Sequence, residues 1–175
     1  MAKFAQESVV YPFTAFNFAV EISVPGVVDG LVCSAAFAEC DGLEMTREVK
    51  TLREGGNNGV QIRLSGPLAY GTLTLKRGMT SNFDLWDWFQ ASLEDPSLRA
   101  EAEVILFAAG REGLSLEVGP VRIGIGDKRP ERARFKLTRC LPVKLKAPPM
   151  NAKDGAVAIE EFQLAYERLE FKRPA

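Results

Sequence analysis

The sequence predicts a mainly β protein of the α+β class, with one α-helix and one long hairpin that projects from the body. Three observations carry this. Period-two alternation of apolar and polar residues recurs along most of the chain, one stretch after Ser81 fits a helical period, and REGGNNG (53–59) ends a segment too charged to be core.

In chain order, residues 1–14 read as an N-terminal arm. They hold one lysine, an early glutamate and no long apolar run, which predicts neither a secretory signal nor a membrane span and places synthesis in the cytoplasm. Phe16, Phe18, Val20, Ile22 and Val24 then alternate with Asn17, Ala19, Glu21 and Ser23, the pattern of a half-buried antiparallel strand, ended by Pro25 and Gly26. FAECDGLE (37–44) reads as a turn with a solvated acidic rim of Glu39, Asp41 and Glu44.

The hairpin is expected over 44–64. Its first arm carries Arg47, Glu48, Lys50, Arg53 and Glu54 on both faces of the pleat, which a strand packed on its own domain would not tolerate. Gly55, Gly56, Asn57, Asn58 and Gly59 permit positive φ at little steric cost, so at least one of these glycines is expected to adopt it. In the return arm, Val60, Ile62 and Leu64 alternate with Gln61 and Arg63, which predicts re-entry into a sheet. A mobile surface loop is the ordinary alternative for such a Gly/Asn cluster.

Leu73 and Leu75 against Thr72, Thr74 and Lys76 predict the next strand. The helix is placed over 81–95, opened by Ser81 and Asp84 as a capping signature and closed by Pro96. At 100° per residue Leu85, Trp86, Phe89 and Leu93 share one face, Asp84, Asp87 and Glu94 gather on the opposite one, and Trp88 lies at the border. Further strands are read in AEVILFAAG (102–110), in Leu114, Leu116 and Val118, in Val121, Ile123 and Ile125, and in Phe135 and Leu137. Pro142, Pro148 and Pro149 suggest an edge or extended connection, and the parity change between Ile159 and Phe162 predicts a bulge near Glu160 and Glu161.

Composition narrows the function. A chain of 175 residues with 46% hydrophobic content suits one domain, 1–175, with its own core. A formal net charge of −1 gives no electrostatic reason to bind nucleic acid or an anionic membrane. There is no histidine, which removes Ser-His-Asp and Cys-His catalysis and the usual His-containing zinc sites. Cys33, Cys40 and Cys140 lack paired spacing and read as small buried hydrophobes. No catalytic, cofactor-binding or metal site is expected, and the glycine spacing of a phosphate loop is absent.

Four blocks then stand in a telling order: FAECDGLE, REGGNN, LKRG followed by LWDW (85–88), and NAKDGAVAIEEFQLAYERLEF (151–171). Their collinearity, from about Phe16 to Phe171, resembles the tail-tube family of contractile phage tails and phage-derived contractile injection systems. The resemblance implies a non-enzymatic subunit of two antiparallel sheets, a β-barrel or sandwich with one flanking helix. It implies hexameric rings that stack into a hollow inner tube within a contractile sheath, as a component of a phage tail or tail-like particle. Partners so implied are the sheath protein, baseplate or spike and terminator proteins, and a cargo in the lumen.

On that view Arg47, Glu48, Lys50, Arg53, Glu54, Gly55, Gly56, Asn57 and Asn58 form a ring-stacking interface, and Asp84, Asp87 and Glu94 face the sheath. LSLEVGPVRIGIGDKRPERA, within 111–134, is longer than the turn common in the family, so a tube-like adaptor, initiator or terminator paralogue remains an alternative, with a small β-barrel enzyme or ligand-binding protein a remote one. Tyr166 stands where many relatives carry histidine.

Overall fold

The computed structural model describes residues 14–24, 31–35, 37–56, 59–108, 115–118, 121–124, 130–150, 153 and 155–173. Expectations for Pro25, Gly26, Asn57, Asn58, Leu114, Ile125 and nearly all of the N-terminal arm lie outside them. The described strands are β1 (Phe18–Ser23), β2 (Leu31–Ala35), β3 (Glu39–Asp41), β4 (Met45–Leu52), β5 (Ile62–Tyr70), β6 (Thr72–Gly78), β7 (Ala100–Phe107), β8 (Ser115–Val118), β9 (Val121–Gly124), β10 (Glu131–Lys146), β11 (Ile159–Ala165) and β12 (Arg168–Lys172). The helix α1 (Asp84–Glu94) falls between β6 and β7.

All pairings are antiparallel. Strand β10 is the spine: its first half pairs with β7 on one side and β12 on the other, and its second half pairs with β11. One sheet therefore runs β2-β1-β7-β10-β12 and the second runs β10-β11-β6-β3. The path is open, with β2 and β3 at its ends, so the result is sandwich-like and not a closed barrel.

Irregularities in β10 allow it to serve both sheets. Between Leu137 and Cys140 the register against β7 shifts, and Arg139 adopts φ +54°, a left-handed conformation unusual for a side-chain-bearing residue. The extra residue places Cys140 in the core in line with Leu137 and turns Arg139 outward to Glu167. A second shift lies between Pro142 and Lys144, opposite Leu164 and Gln163. Pro142, which has no N–H to give, sits at this bulge.

The bulge expected near Glu160 is absent. Strand β11 keeps an unbroken register with β6 from Ile159 to Ala165, and its inward row is Glu160, Phe162 and Leu164. Ile159 points out and a glutamate points in. The core joins both sheets through Val20, Ile22, Ala102, Leu137, Phe162, Leu164, Leu73 and Leu75, and α1 covers it with Leu85 and Trp88.

The helix is shorter than predicted and rotated. Its N-cap is Phe83 and no side chain caps it; Asn82 Oδ1 instead accepts the Asp84 N–H at 3.1 Å. The buried residues are Leu85, Trp88 and Ser92, while Leu93 is 70% exposed. The inward face is turned by roughly 80° from the one drawn through Leu85, Trp86, Phe89 and Leu93. Trp88 packs on Phe162 with ring centroids 5.4 Å apart, and Ser92 satisfies its hydroxyl on the Phe89 carbonyl.

Candidate functional site

The hairpin is longer than 44–64. β4 and β5 pair from Met45 opposite Tyr70 to Leu52 opposite Ile62, as a two-stranded sheet of their own. The return arm does not re-enter a sheet at Val60–Leu64. It continues outside the body to Tyr70. Midway, Gly66 and Pro67 face Glu48 across a register shift, and a Cβ on Gly66 would lie 2.7 Å from the Glu48 carbonyl oxygen. Only glycine admits that approach, and the resulting bulge sharpens the local twist.

Arg47, Glu48, Lys50, Arg53, Glu54, Gly55 and Gly56 are all exposed, and Asn57 and Asn58 lie outside the described residues. Gly56 has φ +91°, the positive φ expected at the tip. Sequence reasoning picked out Val60, Ile62 and Leu64 but not the other apolar residues of the arm. Met45, Val49, Leu52, Val60, Ile62, Leu64 and Leu68 are between 37% and 57% exposed. Cross-strand pairing puts Leu52, Ile62 and Leu64 on one face near the tip, and Met45, Val49 and Leu68 on the other face nearer the root. Met45, Val49 and Leu52 are too widely spaced among charged residues to form an alternating row, so no period-two signal marked them.

The root is tightly built. Gly42 has φ +97°, and a Cβ there would stand 2.0 Å from the Thr72 carbonyl oxygen, so the chain entering the arm presses on the chain leaving it. Gly71 N–H donates to the Glu44 carbonyl at 3.1 Å. The Tyr166 hydroxyl accepts the Glu44 N–H at 2.9 Å and lies 2.8 Å from the Gly42 carbonyl oxygen and 3.0 Å from that of Glu44. Burial raises the Tyr166 phenol above its ordinary value, so at neutral pH it remains a donor. Tyr70 packs beside it, ring centroids 5.7 Å apart.

Beneath the helix lies a buried ion pair that sequence reasoning did not find. Arg77 extends the inward row of Leu73 and Leu75 in β6 and faces Glu160 directly across the ladder. Their side chains are 5% and 2% exposed, with Nε to Oε1 at 2.5 Å. Trp86 Nε1 donates to Glu160 Oε2 at 3.1 Å, Arg77 Nη2 donates to the Asn82 carbonyl at 3.2 Å, and Arg77 Nη1 approaches Cys33 Sγ at 3.4 Å. The guanidinium lies 5.8 Å from the centre of the Phe37 ring. Both carboxylate oxygens and all three guanidinium nitrogens thus have partners, the condition for burying such charges.

Asp84, Asp87 and Glu94 are exposed. Asp87 and Glu94 point most directly away from the buried side, and Asp84 lies at the helix start beside Asn82, whose Nδ2 donates to it at 2.7 Å. The three cysteines are free. Burial pushes the Cys40 thiol to about 11 and Cys140 to about 12, and raises Cys33, so at neutral pH they are thiols and poor nucleophiles. Glu39 is exposed and paired with Lys76 at 2.6 Å. Among the described residues no group of His, Cys, Asp or Glu is arranged to hold a metal ion, and no helix is long and apolar enough to cross a membrane.

The fold is thus of the open sandwich class, with a partly apolar two-stranded arm held outside its own core. Residues 14–170 match the family described as T4-like virus tail tube protein gp19, and the chain belongs to that family. No curated protein matches it. Among solved structures, a chain of the 6-fold symmetrised anti-feeding prophage baseplate superposes with TM-score 0.73 at 21% identity, over 94% of this chain and 98% of that one. A chain of the PVC extracellular contractile injection system, sheath-tube complex in the extended state, gives 0.67 at 18% identity over 94% of each. A chain of the anti-feeding prophage cap, described as tube-terminating, gives 0.69 at 16% identity over 99% of each.

Proposed function

We propose that this chain is an inner-tube subunit of a contractile injection system or phage tail, assembled in the cytoplasm as hexameric rings that stack within a contractile sheath. The observation that carries the proposal is the β4–β5 arm, exposed along its length with seven apolar side chains roughly half in water. Covering them with a neighbouring copy would gain about 1 kcal/mol each before the costs of association. That is a docking arm's composition. A heterologous contact between unlike faces of identical subunits propagates instead of closing, so an arm of this kind suits ring stacking. Arg47, Glu48, Lys50, Arg53 and Glu54 then set register and orientation, since exposed ion pairs are worth only about 0–1 kcal/mol each. Asp84, Asp87 and Glu94 face the sheath.

A tube-end adaptor is the second reading, favoured by one feature. Between β7 and β10 the chain inserts the β8–β9 hairpin, with Ser115 opposite Gly124 and Val118 opposite Val121. An end piece needs one face that stops propagation, and an inserted hairpin supplies one. Negative-stain microscopy of the purified protein separates these: long tubes support the main-tube role, single or paired rings the adaptor. Monodisperse small particles with a turnover would contradict both.

A further inference from the structure

We propose that Tyr166 is a positioning residue for the arm, and that its hydroxyl fixes the angle at which β4–β5 leaves the body. The arm is exposed on both strands, so its direction is set where it joins the sheet. There the outgoing chain, Gly42 to Glu44, and the returning chain, Tyr70 to Thr72, cross in close contact. Gly42 to Glu44 and Tyr70 to Gly71 lie outside the regular ladder of the second sheet, which resumes at Thr72 opposite Ala165.

Tyr166 comes from the other side of that sheet's pairing, at the turn between β11 and β12. Tyr166 is 5% exposed and belongs to the main core, so it is anchored in the body, and its ring also meets Tyr70 at the root of the arm. From that anchor one hydroxyl reaches both residues flanking Leu43: it receives the Glu44 N–H and lies within hydrogen-bond distance of the Gly42 and Glu44 carbonyls. A phenol hydroxyl has one donor and two acceptor sites, so a single atom can hold the backbone on both sides of the bend. Gly71 N–H, bonded to Glu44 O, brings the returning strand into the same clasp.

Leverage makes this small contact matter. Eight residues of β4 and the turn beyond it reach about 30 Å at ~3.4 Å per residue, so a 10° change at the root displaces the tip by about 5 Å, one strand spacing. An arm that must find a fixed site on another copy loses register at that amplitude. This consequence for assembly rests on the stacking role proposed above; the positioning itself does not.

The test uses spin labels on Glu54→Cys at the tip and Ala147→Cys on the body, in a Cys40→Ala background, in unassembled subunit. Tyr166→Phe keeps the ring and removes the hydroxyl. We expect its tip-to-body distance distribution to broaden about twofold or more, and the Glu44 amide to exchange at least tenfold faster, while the Leu75 and Phe162 amides exchange as before. Tyr70→Phe, which removes the neighbouring hydroxyl, should leave both readouts as in the parent. An unchanged distribution in Tyr166→Phe, or equal broadening in Tyr70→Phe, overturns the proposal. Tubes of normal length from a Tyr166→Phe subunit with a broadened distribution would leave the positioning intact and count against the arm as the stacking element.

Discussion

Replacing Glu160 by glutamine tests whether the polar cluster beneath α1 is a satisfied network or only a close approach. The carboxylate accepts from Arg77 on one oxygen and from Trp86 on the other. An amide has a single acceptor oxygen, so either the guanidinium or the indole must then face an N–H₂ group. Arg77, only 5% exposed, cannot recover water without opening the structure. Removing one member of a buried pair costs about 3–5 kcal/mol, and at roughly 2–4 °C per kcal/mol for a chain of this size the midpoint should fall by about 6–20 °C. Urea unfolding of unassembled subunit, followed by tryptophan fluorescence, measures the free energy, and a thermal melt followed by amide circular dichroism measures the midpoint. The double variant Arg77→Met with Glu160→Leu should recover most of the loss, because hydrophobic replacement of both partners is often neutral or stabilising. A Glu160→Gln protein within about 0.5 kcal/mol of the parent, or a double variant as damaged as the single, would refute the reasoning.

Three further outcomes are expected. Reversing Arg53 or Glu54 singly should shorten tubes while the subunit's unfolding free energy stays within about 0.5 kcal/mol of the parent, since exposed charges contribute little to the fold; normal tube lengths across a range of salt would remove these residues from the interface. Reversing Asp87 and Glu94 together should leave tubes intact but reduce sheath co-assembly, most clearly at low ionic strength, where the Debye length is ~30 Å at 0.01 M against ~8 Å at physiological salt; wild-type sheath recruitment at low salt would contradict it. Gly56→Val should cost roughly 1–2 kcal/mol from φ +91° alone, because nothing lies within 4 Å, whereas Gly42→Ala adds a 2.0 Å approach to Thr72 O and should cost about 3 kcal/mol or more; equal costs by denaturant titration would mean the two glycines are held for the same reason.

The alternation rule located the strands well where inward positions are apolar, as in Val20, Ile22 and Val24 or Leu73 and Leu75. It misplaced Glu160 because it takes burial to follow hydrophobicity, and here the inward row carries a charge whose partner, Arg77, lies 83 residues earlier. Strict parity was the neglected clue: Arg77 follows Leu75 by two, and Glu160 precedes Phe162 by two. The helix rotation has a similar origin. Leu93 weighs heavily in any apolar stripe yet is exposed, and Ser92 is buried because its hydroxyl bonds its own helix.

The arm's charge and its glycine tip were legible, and so was its projection. Its true length was not, since Val60, Ile62 and Leu64 predict re-entry into a sheet, whereas the strand runs on through a bulge at Gly66 and Pro67. Tyr166 was visible only as an aromatic residue in a strand; its grip on Gly42 and Glu44 spans more than 120 positions, which no local pattern records.

The most direct test of the account is a helical reconstruction of tubes grown from the purified chain, traced far enough to follow β4–β5. It predicts six subunits per ring, with Leu52, Ile62 and Leu64 of each arm buried against a subunit of the adjacent ring. Tubes whose arms stand free in the lumen or in solvent, or a protein that forms no ring under any assembly condition, would contradict it.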